Sequence, residues 1–519
     1  MSGQKAAKQR IRQMLIRRLF VALLLLAQII VIFLTVASYT QLRWVWNLFT
    51  VLGVLTALHL LTHNQPAAFK ISLVFLILLF PVFGGVFYWI FHFQTTTIGF
   101  RKRLRNIEIR RTPAFRHFGE GVENACAQLP ESDRLIRYLN STRGFPVCRN
   151  TDTVYFATGA EFEASLLDEL RQAKRYIFLE FFTIGEGVFW DAVLAVLRER
   201  AAAGIDVRVV YDDLGSFLSL PHKYADRLRR EGIRCEVFNP FRPFLTSVQN
   251  NRDHRKIAVV DGRVAFTGGM NLADEYINQK ERFGHWKDAA VLLRGEGAWS
   301  FTVMFLQIWS FLTGKQEVCE NYLPDRSELP SEDAASSSAG WVQPYSDSPM
   351  DRENVGEQVY LQLIGNARRY LYITTPYLMV DSNLISALTL AAKSGVDVRI
   401  ITPYKPDKRL VHFTSRSYYR GLIASGVKIY EYSDGFIHSK NMIADDLTAT
   451  VGTVNLDFRS LYLHFECGTC LYRTPSLSAI KQDFLSTLER CHQITAKDCK
   501  ANPVKSILQD ICRLFAPLM

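Results

Sequence analysis

The chain has 519 residues, too many for one core, and reads as two or three domains. Its net charge of +11 suits nucleic acid, an anionic membrane surface or a phosphorylated substrate, and charge alone does not choose among them. Nine cysteines, odd in number and mostly scattered singly, argue against a disulfide scaffold and fit a reducing compartment.

Apolar residues crowd the start of the chain. Residues 19–38, "LFVALLLLAQIIVIFLTVAS", carry no charge over a bilayer-spanning length and follow a basic, acid-free leader. The run is too long for the core of a cleaved signal peptide. Residues 44–62 and 71–93 are a second and third candidate; Pro81, Gly84 and Gly85 inside the last are tolerated in a packed membrane helix. The rival reading is buried helices of a soluble domain. Residues 1–100 are therefore expected to be a membrane region with two or three transmembrane helices, which places the protein in the cell membrane as a multi-pass protein. Residues 101–144 follow as a basic connector beginning "RKRLRNIEIRR". Basic flanks at both ends ask for an even number of crossings, so the face that carries the remainder stays open.

Beyond the connector the sequence repeats. "AKRYIFLEFFTIGEGVFWDAVLAVLRERAAAGIDVRVVYDDLGS" starts at Ala173, and "ARRYLYITTPYLMVDSNLISALTLAAKSGVDVRIITPYKPD" starts at Ala367. Each gives an apolar strand, an amphipathic helix, a glycine turn and a second apolar strand, which is a βαβ unit. The fold expected is two homologous α/β halves around a pseudo-two-fold axis, at 145–324 and 341–495. A Ser-rich linker at 325–340 joins them, and an amphipathic tail occupies 496–519.

Each repeat is followed by a polar hairpin. In "DHRKIAVVDGRVAFTGGMN" His254 and Lys256 share one strand face, Asp261-Gly262 signals a two-residue turn, and Gly268, Gly269 and Asn271 return to the same surface. "IHSKNMIADDLTATVGTVN" repeats the spacing with His438, Lys440, Asp445, Gly452 and Asn455. Glycine at the mouth lets a substrate approach the backbone. Facing halves would gather two imidazoles, two ammonium groups and two amides into a cage for a phosphodiester. Lysine and asparagine would hold the non-bridging oxygens, one imidazole would attack phosphorus, and the other would protonate the leaving alkoxide. Asp288 and Glu466, at similar positions after the two motifs, would fix the imidazole tautomers. One such hairpin could be a surface coincidence; the same spacing twice in matching places of a repeat is not.

These residues resemble the signature of the phospholipase D superfamily, HxKxxxxDxxxxxxG(G/S)xN in two copies, with Thr453 departing from the usual small residue. Within it, "GGMNLADEYIN", "HWKDAAVLLRG", "QPYSDSP", "TTPYLMVD" and "GTVNLDFRSLYLHFE" resemble bacterial cardiolipin synthases. Where that family usually carries Asn two residues before the second acid, this chain has His464. The resemblance implies phosphatidyl transfer between two phosphatidylglycerol molecules, giving cardiolipin and glycerol through a phosphohistidine. It points to His254 as nucleophile and His438 as acid, then base. Asp261 and Asp445 belong to the family motif, and their turn positions suggest bracing the hairpin and lysine. No metal or cofactor is implied. The implied partners are phosphatidylglycerol and other anionic phospholipids in a membrane, not nucleic acid; a homo-oligomer is left open.

A membrane phospholipase D-type hydrolase would use the same residues with water as acceptor, and a non-enzymatic scaffold is the third class. Phosphatidylserine synthesis is a narrower rival. No aromatic-interleaved basic stripe for single-stranded nucleic acid is visible. His464, Cys467 and Cys470 have metal-like intervals, but a lone CxxC on an expected strand reads as packing. "NQKERFGH" (278–285) and "PYKPDKRL" (403–410) are basic loops, either solvated surface or contacts for anionic headgroups. Tyr418 and Tyr419 read as core.

Overall fold

The computed structural model describes Leu26 and residues 43–519 apart from 63–65, 81–83, 86–87, 90–94, 120, 242–246, 331–339, 352 and 501. The described residues of Met1–Phe100, Phe241–Asn250 and Asp510–Met519 form one compact unit; those of Arg101–Pro240 and Asn251–Gln509 form the other.

The first unit corrects the expectation of transmembrane helices and of a multi-pass membrane location. No helix among the described residues is long and apolar enough to cross a membrane. The second candidate segment forms the continuous helix Arg43–Thr62, which has length but carries Asn47, Thr50, Thr56 and His59 among its apolar residues. Of the third, residues 71–79 lie in the helix Ala67–Leu79, thirteen residues long, and 81–83, 86–87 and 90–93 lie outside the described residues. At about 1.5 Å per residue that helix reaches roughly 20 Å, short of a hydrocarbon core of about 30 Å. The first candidate segment, 19–38, lies outside the described residues except for Leu26.

The second unit holds both repeats. In its first half, β1 (Thr151–Phe156), β2 (Tyr176–Phe181), β3 (Asp206–Asp212), β4 (Arg234–Phe238), β5 (Lys256–Val260), β6 (Val264–Gly268), the short β7 (His285–Lys287) and β8 (Ala290–Gly295) follow in order. Seven of them build one sheet, β1-β8-β6-β5-β2-β3-β4. The second half contains β9 (Trp341–Asp347), β10 (Tyr370–Thr374), the short β11 (Leu378–Met379), β12 (Asp397–Pro403), β13 (Lys428–Tyr432), the short β14 (Gly435–Ile437), β15 (Asn441–Ala444), β16 (Thr448–Gly452), the short β17 (Leu456–Asp457), β18 (Glu466–Tyr472) and β19 (Cys491–Ile494). Its sheet runs β19-β13-β12-β10-β15-β16-β18-β9.

The βαβ units form as read. β2 and β3 pair in parallel with Ile177 opposite Val207, and β10 and β12 with Leu371 opposite Val398. β2 is buried along its whole length, and nearly continuous apolar runs are what strands covered on both faces require. The helices Val188–Ala202 and Ser382–Lys393 supply the two crossovers.

Both polar hairpins are antiparallel, β5 with β6 and β15 with β16. Their turns place two successive residues in the left-handed region, Asp261 (φ 53°) and Gly262 (φ 71°), then Asp445 (φ 59°) and Asp446 (φ 63°). Such pairs match the twist of a two-residue hairpin. The Asp261 carboxylate accepts the backbone N–H groups of Lys174, Arg175 and Tyr176, each at 2.8 Å. Asp445 accepts those of Arg368, Arg369 and Tyr370 at 2.6, 2.8 and 2.8 Å. These two acids therefore tie each turn to the start of the neighbouring central strand. They sit at the far end of β5 and β15 from the histidines and brace neither lysine.

Candidate active site

The histidines lie just outside the strands assigned to them. β5 begins at Lys256, and His438–Ser439–Lys440 fills the gap between β14 and β15. What fixes these segments is the opposite half. His254 donates its N–H to Phe465 O at 2.9 Å, and Phe465 donates its own to Arg252 O at 2.8 Å. Reciprocally, β14 pairs in parallel with β7, and His438 donates its N–H to Lys287 O at 2.7 Å. Phe465 stands one residue before Glu466, and Lys287 one before Asp288. The acids are thereby exchanged between halves. Nδ1 of His254 lies 3.0 Å from both oxygens of Glu466, and Nδ1 of His438 lies 2.7 Å from Asp288 Oδ2.

The lysines close the site. Lys256 Nζ donates to His254 O at 2.6 Å, and Lys440 Nζ donates to His438 O and stands 2.8 Å from His438 Nδ1. All six side chains are buried. Burial, followed by the charges of Lys256, His464, Lys440 and His438, pushes His254 well below the ordinary imidazole range. Burial and then Lys440 push His438 down to about 4, with Asp288 opposing. Burial lowers Lys256 to about 8 and Lys440 to about 7. The two acids differ. Burial raises Glu466 well above the carboxylate range, although Lys256 and the Thr453 hydroxyl pull it back. Burial raises Asp288 too, but Lys440 and His438 outweigh it and hold the group below its ordinary value.

The motif glycines serve a purpose other than the one expected from sequence. A Cβ on Gly269 would lie 2.0 Å from Asp288 Oδ1, and one on Gly452 would lie 2.5 Å from Cys467 O. They make room for the orienting acid and its strand rather than for substrate against the backbone; Gly268 likewise would press on Ala289 O at 2.4 Å. Asn271 accepts the Thr183 N–H at 2.9 Å and donates to the Tyr276 hydroxyl at 2.7 Å. Asn455 donates to Asp457 at 3.0 Å.

Several neighbours were not found by motif reading. Trp286 and Tyr276 pack on the His438 ring at centroid distances of 5.3 and 5.7 Å, and Phe182 packs on His254 at 5.0 Å. Glu180 and Asp253 flank the buried Arg255 at 2.7 and 3.0 Å, anchoring the His254 segment from its far side. Aligning the two stretches before the acids places Trp286 opposite His464, a signal available in the repeat.

Among the described residues, His254, His464 and Glu466 form a group whose ligand atoms lie within 4.8 Å of one another, a spacing that could take a metal ion. Lys256, Arg459, Lys408 and Arg252 all bear on His464, and that positive field opposes a divalent cation. Cys467 and Cys470 are buried on β18, where burial pushes both thiols up to about 12, away from the thiolate a metal requires. Tyr418 and Tyr419 are core residues.

Comparison with known proteins agrees with both halves. A family model described as "Cardiolipin synthase, PLD-like domain" matches residues 166–289 and 360–488. An uncharacterized protein of Streptococcus mutans is 41% identical over 469 residues, 89% of this chain and 99% of its own. A cardiolipin synthase of a Geobacillus species is 34% identical over 464 residues, 88% of this chain and 90% of its own. The crystal structure of phosphatidylserine synthase from Haemophilus influenzae matches with a TM-score of 0.55 at 16% identity, over 75% of this chain and 100% of that one, a likeness of fold.

Proposed function

Because this chain belongs to the cardiolipin synthase family of the phospholipase D superfamily, a family of phospholipid phosphatidyl-transfer enzymes, we propose that it joins two phosphatidylglycerol molecules into cardiolipin and releases glycerol. The reaction runs through a phosphatidyl group held on His254. Nε2 of His254 attacks phosphorus, the P–O bond to glycerol breaks, and His438 gives its proton to the leaving oxygen. A hydroxyl of the second phosphatidylglycerol then attacks phosphorus. His438, now neutral, takes that hydroxyl proton, and the P–N bond breaks to free His254. Lys256, Lys440 and the second N–H of Asn271 and Asn455 meet the charge on the phosphoryl oxygens.

The observation that carries the assignment is the unlike state of the two crossed pairs. Glu466 is pushed toward its neutral form, so it gives His254 little reason to become an imidazolium, and a neutral imidazole is the nucleophile. Asp288 stays ionised against His438 and supports the imidazolium that forms when an anionic phosphodiester enters. Environments that push paired groups apart are how acid and nucleophile roles are divided.

The test is a lipid assay of wild type and His254→Ala with labelled phosphatidylglycerol in mixed micelles. Cardiolipin plus free glycerol from the wild type, and neither from the variant, is the expected outcome. Phosphatidic acid as the sole product would make water the acceptor and replace the transferase by a hydrolase.

A further inference from the structure

One tyrosine beside the catalytic cage holds a hydrogen that no described residue receives. The turn that carries it, Asp274–Ile277, is fixed from two sides. The Asp274 carboxylate accepts the N–H groups of Val188 and Phe189 at 3.2 and 3.0 Å, and a Cβ on Gly159 would lie 1.9 Å from Tyr276 O. Tyr276 meets Asn271 from this base. Asn271 Oδ1 accepts the Thr183 N–H at 2.9 Å, which leaves its NH2 for the tyrosine, and Nδ2 lies 2.7 Å from Oη. An amide NH2 only donates, so the hydroxyl accepts there and its own hydrogen must go elsewhere. It makes no second hydrogen bond with any described residue. At 6% exposure, Tyr276 is nearly closed to bulk water. Its ring stands edge-on to His438, with centroids 5.7 Å apart at 75°, and 4.9 Å from Trp286. Burial, then the charge of Asp288, pushes this phenol well above the tyrosine range, so the hydrogen stays on the oxygen at neutral pH. The other motif amide is held differently: Asn455 donates at 3.0 Å to Asp457, whose carboxylate also accepts the Ser460 N–H at 2.8 Å.

Buried donors are ordinarily paired, and one left over at a reaction site points to a group that arrives with the substrate. In the proposed reaction the phosphodiester sits between His254 and His438, and charge builds on its two non-bridging oxygens as phosphorus becomes five-coordinate. Asn271 keeps a second N–H for one of them. We propose that Tyr276 is a further catalytic residue, its hydroxyl donating to the same non-bridging oxygen as that N–H. Two donor atoms 2.7 Å apart are close enough to converge on one acceptor. Asn271 already fixes the phenol oxygen, so only the hydrogen has to turn. The inference rests on the phosphoryl-transfer chemistry proposed above and adds a residue to it; it holds whether the acceptor is an alcohol or water.

Tyr276→Phe removes the oxygen and keeps the ring against His438 and Trp286. Its rate of forming protein-bound label from phosphorus-labelled phosphatidylglycerol, read by rapid quench, is expected to fall about 100-fold, with KM within about threefold of wild type. A merely structural role would slow every substrate alike. The deciding probes are therefore the two phosphorothioate diastereomers of phosphatidylglycerol, each with sulfur, a poor acceptor, at one non-bridging position. With sulfur at the position Tyr276 meets, variant and wild type should differ by less than about threefold; with sulfur at the other, a gap of about 100-fold should remain. An equal loss on both diastereomers, or a Tyr276→Phe rate within about threefold of wild type on the oxygen substrate, overturns the proposal. If the wild type gives phosphatidic acid alone, the transferase reading fails and the diastereomer comparison still decides the role of Tyr276. If the wild type forms no label, the phosphohistidine reading fails by itself. Calorimetric titration with orthovanadate, which takes up the five-coordinate geometry, then decides: binding weakened about tenfold by Tyr276→Phe supports the role, and equal binding, or none by either protein, overturns it.

Discussion

Replacing Asp288 by Asn changes one atom and is expected to slow the proposed reaction at its first step. The Ala289 N–H donates to Asp288 Oδ1 at 2.8 Å, so the amide of Asn must place its oxygen there. Its NH2 then occupies the Oδ2 position, 2.7 Å from His438 Nδ1. An ionised carboxylate only accepts, so in the wild type Nδ1 carries the hydrogen and Nε2 a lone pair; an amide NH2 only donates, which reverses the tautomer. Lys440, 2.8 Å from the same nitrogen, adds a second donor in favour of the reversed form. The first step of the proposed reaction needs an imidazolium, and the variant does not support one because Nδ1 faces donors alone; a neutral imidazole giving up its single N–H would become an imidazolate. A tautomer reversal of this kind costs about 10⁴ in a protease triad. A loss of about 10³ in the first step, roughly 4 kcal/mol of barrier, is a moderate expectation here. The assay is rapid quench with phosphorus-labelled phosphatidylglycerol and denaturing electrophoresis. Asp288→Asn should form protein-bound label about 10³-fold more slowly than wild type, and the double variant with His254→Ala should form none. Label formed within about tenfold of the wild-type rate, or label retained without His254, would refute the reasoning.

Other outcomes follow from the same geometry. Burial pushes Lys256 down to about 8 and Lys440 down to about 7, so their charges are present below those values and lost above them; the alkaline limb of kcat/KM should fall between pH 7 and 8 instead of near the usual lysine range. The folded state also disfavours charged Lys440, so stability should rise with pH from about 7 toward 10.5, and Lys440→Met should raise urea stability by about 2 kcal/mol while abolishing turnover. Gly269→Ala drives a methyl into Asp288 Oδ1 and should lower kcat about 100-fold and cost about 1–3 kcal/mol of stability by urea unfolding. Asp261→Ala removes three charge-assisted hydrogen bonds far from phosphorus; it should cost about 3 kcal/mol by urea unfolding and leave kcat within about threefold.

Local patterns in the sequence carried much of this architecture. The alternation of apolar strand, amphipathic helix and glycine turn after Ala173 and Ala367 specified both βαβ units, because burial on two faces selects continuous apolar strands. Asp261-Gly262 specified its hairpin by the turn chemistry it needs. The crossing of Asp288 to His438 and of Glu466 to His254 was not legible, because sequence spacing says nothing about which half a side chain faces once two halves dock. Gly269 misled for a related reason: the group crowding it is Asp288, nineteen positions away. The apolar residues from 43 to 79 misled through composition. Hydrophobic content marked the segments, but Asn47, Thr56 and His59 punctuate one helix, and the other stops at Leu79, just before Pro81.

The crossed pairing also has a consequence for ancestry. A lone half would have its histidine looking for an acid it does not itself present, and could satisfy it only by meeting a second copy of the same half, each lending its carboxylate to the other. Two halves held in one polypeptide have no need to be identical. Aspartate against one imidazole and glutamate against the other, indole on one flank and imidazole on the other, record that divergence. In the proposed reaction that unlikeness is what lets one histidine form the bond and the other carry the proton.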